Sequence, residues 1–188
     1  MLPSGHSHPG YSLTSHTHAI DVLKEVRIEA ITTKLGATPP TSTTRAVGAS
    51  GTVLKPVLSF SSTTQNDCYF VFHCPVDKKA GGSVRFHLMW HPGSAWTTGN
   101  YLWKLEYLVM AENGATLLSG SPTTISKDVT PSNATTNRED EYTDAITLEV
   151  NQIMVCHFYR DIADTGNAIG EVSFFEIEYE ADKLGETV

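Results

Sequence analysis

The sequence predicts an all-β protein, an antiparallel β-sandwich of jelly-roll type that follows an extended N-terminal arm. Short runs of β-branched and aromatic residues recur along the chain, and Gly, Pro, Asn and Asp separate them, as in strands joined by turns. No segment combines helical spacing of apolar residues with a cap at each end. About eight such runs favour two packed sheets, and a closed barrel is the alternative.

The runs that we expect to form strands follow one another along the chain after the arm. In the first, KEVRIEAIT at 24–32, apolar and charged residues alternate, which is typical of a half-buried strand. The others are TVLKPVLSF (52–60), CYFVFHC (68–74), SVRFHLMWH (83–91), NYLWKLEYLVMAE (100–112), DAITLEV (144–150), QIMVCHFYR (152–160) and EVSFFEIEYEA (171–181).

Alternation within two runs predicts which side chains share a face of the sheet, because successive residues of a strand point to opposite faces. The run at 83–91 has one apolar face, made by Val84, Phe86, Leu88 and Trp90. The longest run has an apolar face opposite Lys104 and Glu106, made by Tyr101, Trp103, Leu105, Tyr107 and Val109.

Three long polar segments, 33–51, 92–100 and 117–140, interrupt the strands. The first is rich in Thr, Gly, Pro and Ser and predicts a long loop or linker; the last predicts a loop with one edge strand. Loops on a rigid β scaffold are where binding residues concentrate. Trp96 and Tyr101 are therefore the candidates for aromatic anchors in surface recognition.

Composition excludes several classes of function. A chain of 188 residues is long enough for one domain plus appendages. The formal net charge is −8 and the thirteen Lys and Arg are scattered, which argues against nucleic acid and against an anionic membrane surface. No apolar run approaches the ~20 residues of a membrane span. The N-terminus lacks the basic start and apolar stretch of a secretory signal.

The cysteines and the charged clusters carry little chemistry of their own. The three cysteines lie in apolar runs, so we expect buried free thiols, not catalytic ones. His87 and His91 share a strand face about 13 Å apart, too far for one metal ion. The cluster of Arg160, Asp161 and Asp164 offers too few oxygens for calcium and indicates an ion pair that organises a loop.

Two His-x-His pairs stand at the start of the chain, His6-Ser-His8 and His16-Thr-His18. In an extended chain, side chains two residues apart point the same way, so each pair presents two imidazoles together. Two imidazoles cannot close a metal site alone, whereas three chains side by side would supply six. Because imidazole is a ligand for first-row transition metals, the spacing favours a threefold assembly around a metal.

The arm also carries a resemblance to a known family. The stretch G-H-S-H-x-x-Y-x-L-x-x-H-T-H at 5–18 resembles the linkers of trimeric bacteriophage tail and head fibres. The body over 60–180 is loosely similar to the β-sandwich modules of tailed-phage fibre and virion-decoration proteins. The resemblance implies that three copies ring a metal such as Fe, Zn or Ni on the trimer axis through His6, His8, His16 and His18.

We therefore expect a non-enzymatic, homotrimeric virion protein, a short head or tail fibre or a capsid-decoration protein. The arm at 1–20 would anchor it to a capsid or tail adaptor, and the sandwich at 21–188 would contribute to attachment to a host-cell glycan. It would be assembled in the bacterial host cytoplasm, without nucleic acid or membrane insertion.

Two alternatives remain open. The first is a carbohydrate-binding β-sandwich module, in which exposed aromatic residues such as Trp96 and Tyr101 stack on sugar faces. The second is a cupin-like metalloenzyme, whose His-x-His pair lies inside a jelly roll with a Glu ligand close behind. Here both pairs precede the strands, and no Glu follows them before Glu25.

Overall fold

The computed structural model describes residues 22–47, 51–111, 120–134, 138–142 and 144–181. These residues form two antiparallel sheets packed face to face, which confirms the sandwich and not the closed barrel. The strands are β1 (Val22–Glu29), β2 (Lys34–Leu35), β3 (Thr41–Val47), β4 (Val53–Phe60), β5 (Asp67–His73), β6 (Ser83–Pro92), β7 (Tyr101–Ala111), β8 (Thr123–Val129), β9 (Arg138–Glu141), β10 (Ile146–Thr147), β11 (Gln152–Arg160) and β12 (Gly170–Ala181). A short 3₁₀ helix, Ala30–Thr32, lies between β1 and β2.

Sheet A is built around the long strand β12, and sheet B around β11. In sheet A the order is β10-β6-β12-β4-β3, with β1 also paired to β12 and β9 to β6; in sheet B the order is β2-β5-β11-β7-β8. Strand β12 pairs with β4 only over Gly170–Val172, and with β1 along its remaining length. Strands β1 and β4 thus share one side of β12, and β4 and β3 lie at the end where β12 begins.

The core lies between the two sheets and consists of the faces that alternation picked out. Val84, Phe86, Leu88 and Trp90 are fully buried, as predicted for one face of β6. The rings interlock at close range: Phe60 meets Trp103 edge-on with centroids 5.5 Å apart. Burial of each such side chain stabilises the fold by about 1.5–3 kcal/mol, so these strands hold the sheets together.

The prediction of a loop over residues 33–51 is wrong, because this segment contains β2 and β3. Strand β3 pairs residue by residue with β4, from Thr41 opposite Ser59 to Val47 opposite Val53. It is an edge strand with mostly exposed side chains, so it has no apolar alternation to read. Its threonines are β-branched and suit a strand, and the pairing with β4 prevails over the loop-like composition.

Two other boundaries differ from the prediction. The segment 117–140 contains two strands, β8 and β9, where one edge strand was expected. The run at 144–150 forms only the two-residue strand β10. Within the described part of the chain, no helix is long and apolar enough to cross a membrane.

Candidate functional site

Four strands of sheet A each place one polar side chain in a single row across its outer face. Thr41 on β3 lies opposite Ser59 on β4, Ser59 opposite Glu171 on β12, and Glu171 opposite His91 on β6. Residues that are directly paired across antiparallel strands point to the same face. We call these four residues the cross-strand row.

A cleft of about 520 Å³ opens over one end of this row. We call it the polar cleft; its lining residues are mainly hydroxyl and amide side chains, with one carboxylate, namely Thr41, Thr43, Ser59, Ser61, Thr64, Asn66, Ile169 and Glu171. Its volume lies within the range of roughly 300–1,000 Å³ that is typical of small-molecule sites.

The turn between β4 and β5 forms one wall of the polar cleft and is held by its own hydrogen bonds. Asn66 Oδ1 accepts a hydrogen bond of 2.6 Å from the Ser61 backbone N–H, and its Nδ2 donates to the carbonyl of Pro39 at 3.1 Å. The Ser61 hydroxyl accepts from the backbone N–H groups of Thr63 and Thr64. This wall is therefore fixed before any ligand arrives.

Glu171 is buried at the floor of the cleft, yet only one of its carboxylate oxygens is engaged. Oε2 accepts a hydrogen bond from the Arg45 guanidinium and lies 3.1 Å from His91 Nδ1. No described residue donates to Oε1. Burial opposes ionisation of this carboxyl, but the hydrogen bonds from His91 and Arg45 outweigh it and hold its pKa below the usual value. Glu171 is thus a carboxylate at neutral pH with one oxygen left to accept.

Ser59, the neighbour of Glu171 in the row, is also incompletely bonded. Its side chain is only 9% exposed, and its hydroxyl has no hydrogen-bond partner among the described residues. A buried polar group without a partner costs about 1–3 kcal/mol. Ser59 lines the polar cleft, and a ligand there can supply the missing partner when the buried hydroxyl rotates toward the cleft.

The Arg45 side chain beside Glu171 donates its hydrogen bonds to other groups of the protein. One of its terminal nitrogens donates to Glu171, and the other donates to the carbonyl of Ala134 at 3.1 Å. Arg45 does not line the polar cleft. Of the described residues that do, Glu171 is therefore the one that carries a charge.

The outer face of sheet B carries a second polar cluster, whose members mostly bond to one another, although His157 Nε2 lies near Asp67 without a hydrogen bond. His157 Nδ1 lies 3.0 Å from Glu106 Oε2, and its Nε2 lies 3.3 Å from Asp67 Oδ2. The Tyr159 hydroxyl donates to Glu106 Oε1 at 2.9 Å, and the Tyr69 ring stacks on His157 with centroids 4.6 Å apart. The hydrogen bond from His157 is the main reason that the pKa of Glu106 is lowered. This cluster holds three strands together.

A second cavity, of about 360 Å³, lies beside the 3₁₀ helix and has mainly apolar walls. The hydroxyls of Thr32 and Thr33 at its rim donate to backbone carbonyls of Glu29 and Ala30, both at 2.7 Å. Its hydroxyl groups are thus already used, in contrast to those of the polar cleft.

The two aromatic residues predicted as surface anchors lie in different environments. Tyr101 is fully buried and its hydroxyl donates to the carbonyl of Ile169 at 3.1 Å, so the expectation of an exposed contact is wrong. Tyr101 is the first residue of β7 and lies on the same face as Trp103 and Leu105, whose side chains pack in the core. The alternation of the strand therefore places Tyr101 in the core as well. Trp96 is half-buried, packs against the core and donates from Nε1 to the carbonyl of Gly99; its recognition role stays a prediction.

The four histidines predicted as metal ligands, His6, His8, His16 and His18, lie outside the described residues, so the metal site stays a prediction. Within the ranges that the structure describes, no group of three or more His, Cys, Asp or Glu side chains could hold a metal ion.

The ion pair and the thiols match the expectations from sequence. Arg160 and Asp164 form a buried bidentate pair that organises the loop before β12, with Nε–Oδ2 at 2.6 Å and Nη2–Oδ1 at 2.9 Å. All three cysteines are free and buried. Burial raises the pKa of Cys68 to about 12 and raises that of Cys156 further, so neither is a reactive thiolate.

Comparisons with known proteins give structural neighbours only. No protein-family model matches the sequence, and no curated protein matches it. Among solved structures, the chain is similar to CBM35 from Cellvibrio japonicus Abf62, at 10% identity over 86% of this chain and 100% of that chain, with a TM-score of 0.48. It is also similar to TmCBM61 in complex with β-1,4-galactotriose, at 10% identity over 79% of this chain and 89% of that chain, with a TM-score of 0.45.

A further neighbour is the N-terminal endo-1,4-β-D-xylanase 10B of Clostridium thermocellum, solved as CBM22-1–GH10 modules with xylohexaose. The similarity is 12% identity over 87% of this chain and 27% of that chain, with a TM-score of 0.45. The neighbours thus include carbohydrate-binding modules and part of an enzyme. Each TM-score is below 0.5, so nothing about ligand binding by this chain follows from them.

Proposed function

We propose that this chain is a non-catalytic carbohydrate-binding protein and that the polar cleft is its binding site. One observation carries the proposal: Ser59 Oγ and Glu171 Oε1 belong to directly paired residues on the cleft floor, and neither has a partner among the described residues. Two neighbouring hydroxyls of a sugar ring supply what this pair needs. One can donate to the carboxylate oxygen, while the other exchanges a hydrogen bond with the serine hydroxyl once rotation about the Cα–Cβ bond of Ser59 brings that hydroxyl to the surface.

The walls of the cleft support the same ligand class. Thr41 and Thr43 are exposed on the edge strand and present hydroxyls that can donate or accept. Ile169 adds an apolar contact that is 41% exposed. A site with a few placed polar groups and some apolar surface suits a polyhydroxylated ring, which has polar edges and apolar faces.

Binding without hydrolysis is the activity that this geometry supports. Glycosidases require a pair of carboxylates that flank the scissile bond, about 5–9.5 Å apart. Among the described residues, Glu171 is the one carboxylate that lines the polar cleft, and none of these residues supplies a second carboxyl group to the lining.

The test is a glycan array, followed by calorimetric titration of the hits, on the wild-type chain and two serine variants. Ser59→Ala removes the cleft hydroxyl and should weaken binding about tenfold, the worth of one hydrogen bond to a ligand. Ser173→Ala is the matched control: Ser173 is also buried with an unpartnered hydroxyl, but it does not line the cleft. Equal loss in both variants, or no glycan bound by wild type, contradicts the proposal.

A second candidate function is the homotrimeric virion protein, and the two His-x-His pairs of the N-terminal arm favour it. In this role the arm would join three copies around a transition metal and attach them to a capsid or tail adaptor. The two proposals are compatible, since a host-cell glycan would be a natural ligand for the cleft of such a protein. The check is the native mass with and without chelator, together with metal content. A monomer with well under one metal ion per three chains would exclude the metal-bound trimer.

A further inference from the structure

We infer that the polar cleft excludes acidic sugars and that Glu171 determines this specificity. The inference rests on the proposed function and names the ligand class of the same site. It follows from which charged atoms reach the cleft and which are held by the protein.

Glu171 brings the one charge into the lining, and its Oε1 atom needs a donor. A uronic acid, a sialic acid or a sulfated sugar would bring a second anion to this oxygen. The nearest cation, Arg45, stands beside the cleft with donors directed at Glu171 and at the carbonyls of Ala134 and Pro92. An acidic ligand would therefore meet repulsion without a compensating cation, and like charges that are brought together in a partly buried site disfavour binding.

A neutral hydroxyl avoids this repulsion. It donates to Oε1 without adding charge, and a hydrogen bond to a charged acceptor is stronger than one between neutral groups. The directly paired position of Ser59 allows the adjacent hydroxyl of the same ring to be bound at the same time. Glu171 and Ser59 therefore recognise two neighbouring hydroxyls on one sugar.

The experiment compares sugars that differ only in charge. Oligosaccharides of glucose and glucuronic acid, and the corresponding galactose series, are titrated into wild-type protein at pH 7 by calorimetry. In a series that binds, we expect the neutral member to bind at least about tenfold more tightly than the acidic member. An acidic member that binds as tightly as its neutral counterpart overturns the inference but leaves the proposed function standing. If no oligosaccharide in either series or on the array binds, the proposed function fails as well.

Glu171→Gln then tests whether this residue is responsible. The variant should bind the neutral member more weakly and the uronic acid member more tightly, so that the preference for the neutral sugar shrinks by about tenfold. Glu178→Gln is the matched control, because Glu178 lies on the same strand and does not line the cleft. An unchanged preference in a folded Glu171→Gln variant assigns the selectivity elsewhere and overturns this role of Glu171.

Discussion

Two buried arginine–carboxylate pairs in this protein differ in how completely they are bonded. In the pair of Arg160 and Asp164, every carboxylate oxygen and the guanidinium are in use. Asp164 also accepts from the backbone N–H groups of Leu102 and Gly166, and Arg160 also donates to the carbonyls of Ala168 and Gly166. The Arg160 guanidinium stacks over the Tyr101 ring, with its carbon 4.3 Å from the centroid. We call this the closed pair.

The pair of Arg45 and Glu171 is open by comparison. The two residues meet through a single carboxylate oxygen, and the other oxygen has no donor among the residues that the structure describes. Beside it the Ser59 hydroxyl is buried and unpartnered as well.

This difference indicates that the closed pair contributes to stability, whereas the open pair contributes to binding. Burial of charge is costly unless the geometry and the remaining hydrogen bonds are complete, and the closed pair meets that condition. The open pair leaves hydrogen-bonding capacity at the floor of a cleft, where a ligand can use it. Loss of the closed pair should therefore reduce stability, whereas changes at the open site should reduce binding.

The largest expected effect is at the closed pair. Arg160→Ala leaves Asp164 as an unpaired buried charge and exposes two carbonyls to an apolar neighbourhood, which should cost about 3–5 kcal/mol of the free energy of unfolding. Urea unfolding followed by tryptophan fluorescence measures it. Lys79→Ala is the control, because the side chains of Lys79 and Glu180 are both about one third exposed and the loss of their ion pair should cost under about 1 kcal/mol. Equal costs for the two variants would show that the closed pair adds no stability beyond a surface contact.

A smaller effect is expected at Trp96, which lies in the loop that braces the closed pair. Thr97 and Thr98 of this loop accept and donate hydrogen bonds with Asn167, next to the carbonyls that hold Arg160. Because Trp96 is half-buried against the core, Trp96→Ala should cost about 1–3 kcal/mol, less than a fully buried Trp. The melting temperature measures the cost. An unchanged melting temperature with reduced glycan binding would instead establish Trp96 as an exposed recognition residue.

Because of the open pair, part of the free energy of unfolding should depend on pH. The folded-state pKa of Glu171 is lowered, so ionised Glu171 contributes stability that is fully present above the unfolded-state pKa of about 4.3. That contribution is lost as pH falls through the lower folded-state value. Urea midpoints between pH 7 and pH 3 should therefore fall less steeply for Glu171→Gln than for wild type. Parallel curves would mean that Glu171 does not share in the acid sensitivity.

Features that depend on neighbouring residues could be predicted from the sequence, whereas features that bring distant residues together could not. The core face of β6 was predicted because Phe86 and Trp90 alternate with polar residues along one strand. The edge strand β3 was missed, since an exposed strand has no such alternation. The polar cleft joins residues from β3, β4 and β12 that lie far apart in the chain, and Ser59 stands between two apolar residues with no local sign of a site. The sequence predicts recognition in three polar segments with Trp96 and Tyr101 as anchors. One of these segments, 33–51, holds Thr41 and Thr43 of the cleft, whereas Ser59 and Glu171 lie outside all three.

The smallest expected effect on stability is at Ser59, and it gives the sharpest contrast with the closed pair. The hydroxyl has no partner in the described residues, so Ser59→Ala breaks no hydrogen bond and removes a buried group that costs free energy in the unliganded protein. The free energy of unfolding should stay within about 0.5 kcal/mol of wild type or rise. Ser173→Ala should behave alike in unfolding, because its hydroxyl is equally buried and unpartnered. The two variants should then differ only in binding, since Ser59 alone of the two lines the cleft. A loss of 1 kcal/mol or more in Ser59→Ala would mean that the hydroxyl is already bonded in the free protein, and the open site would then be closed.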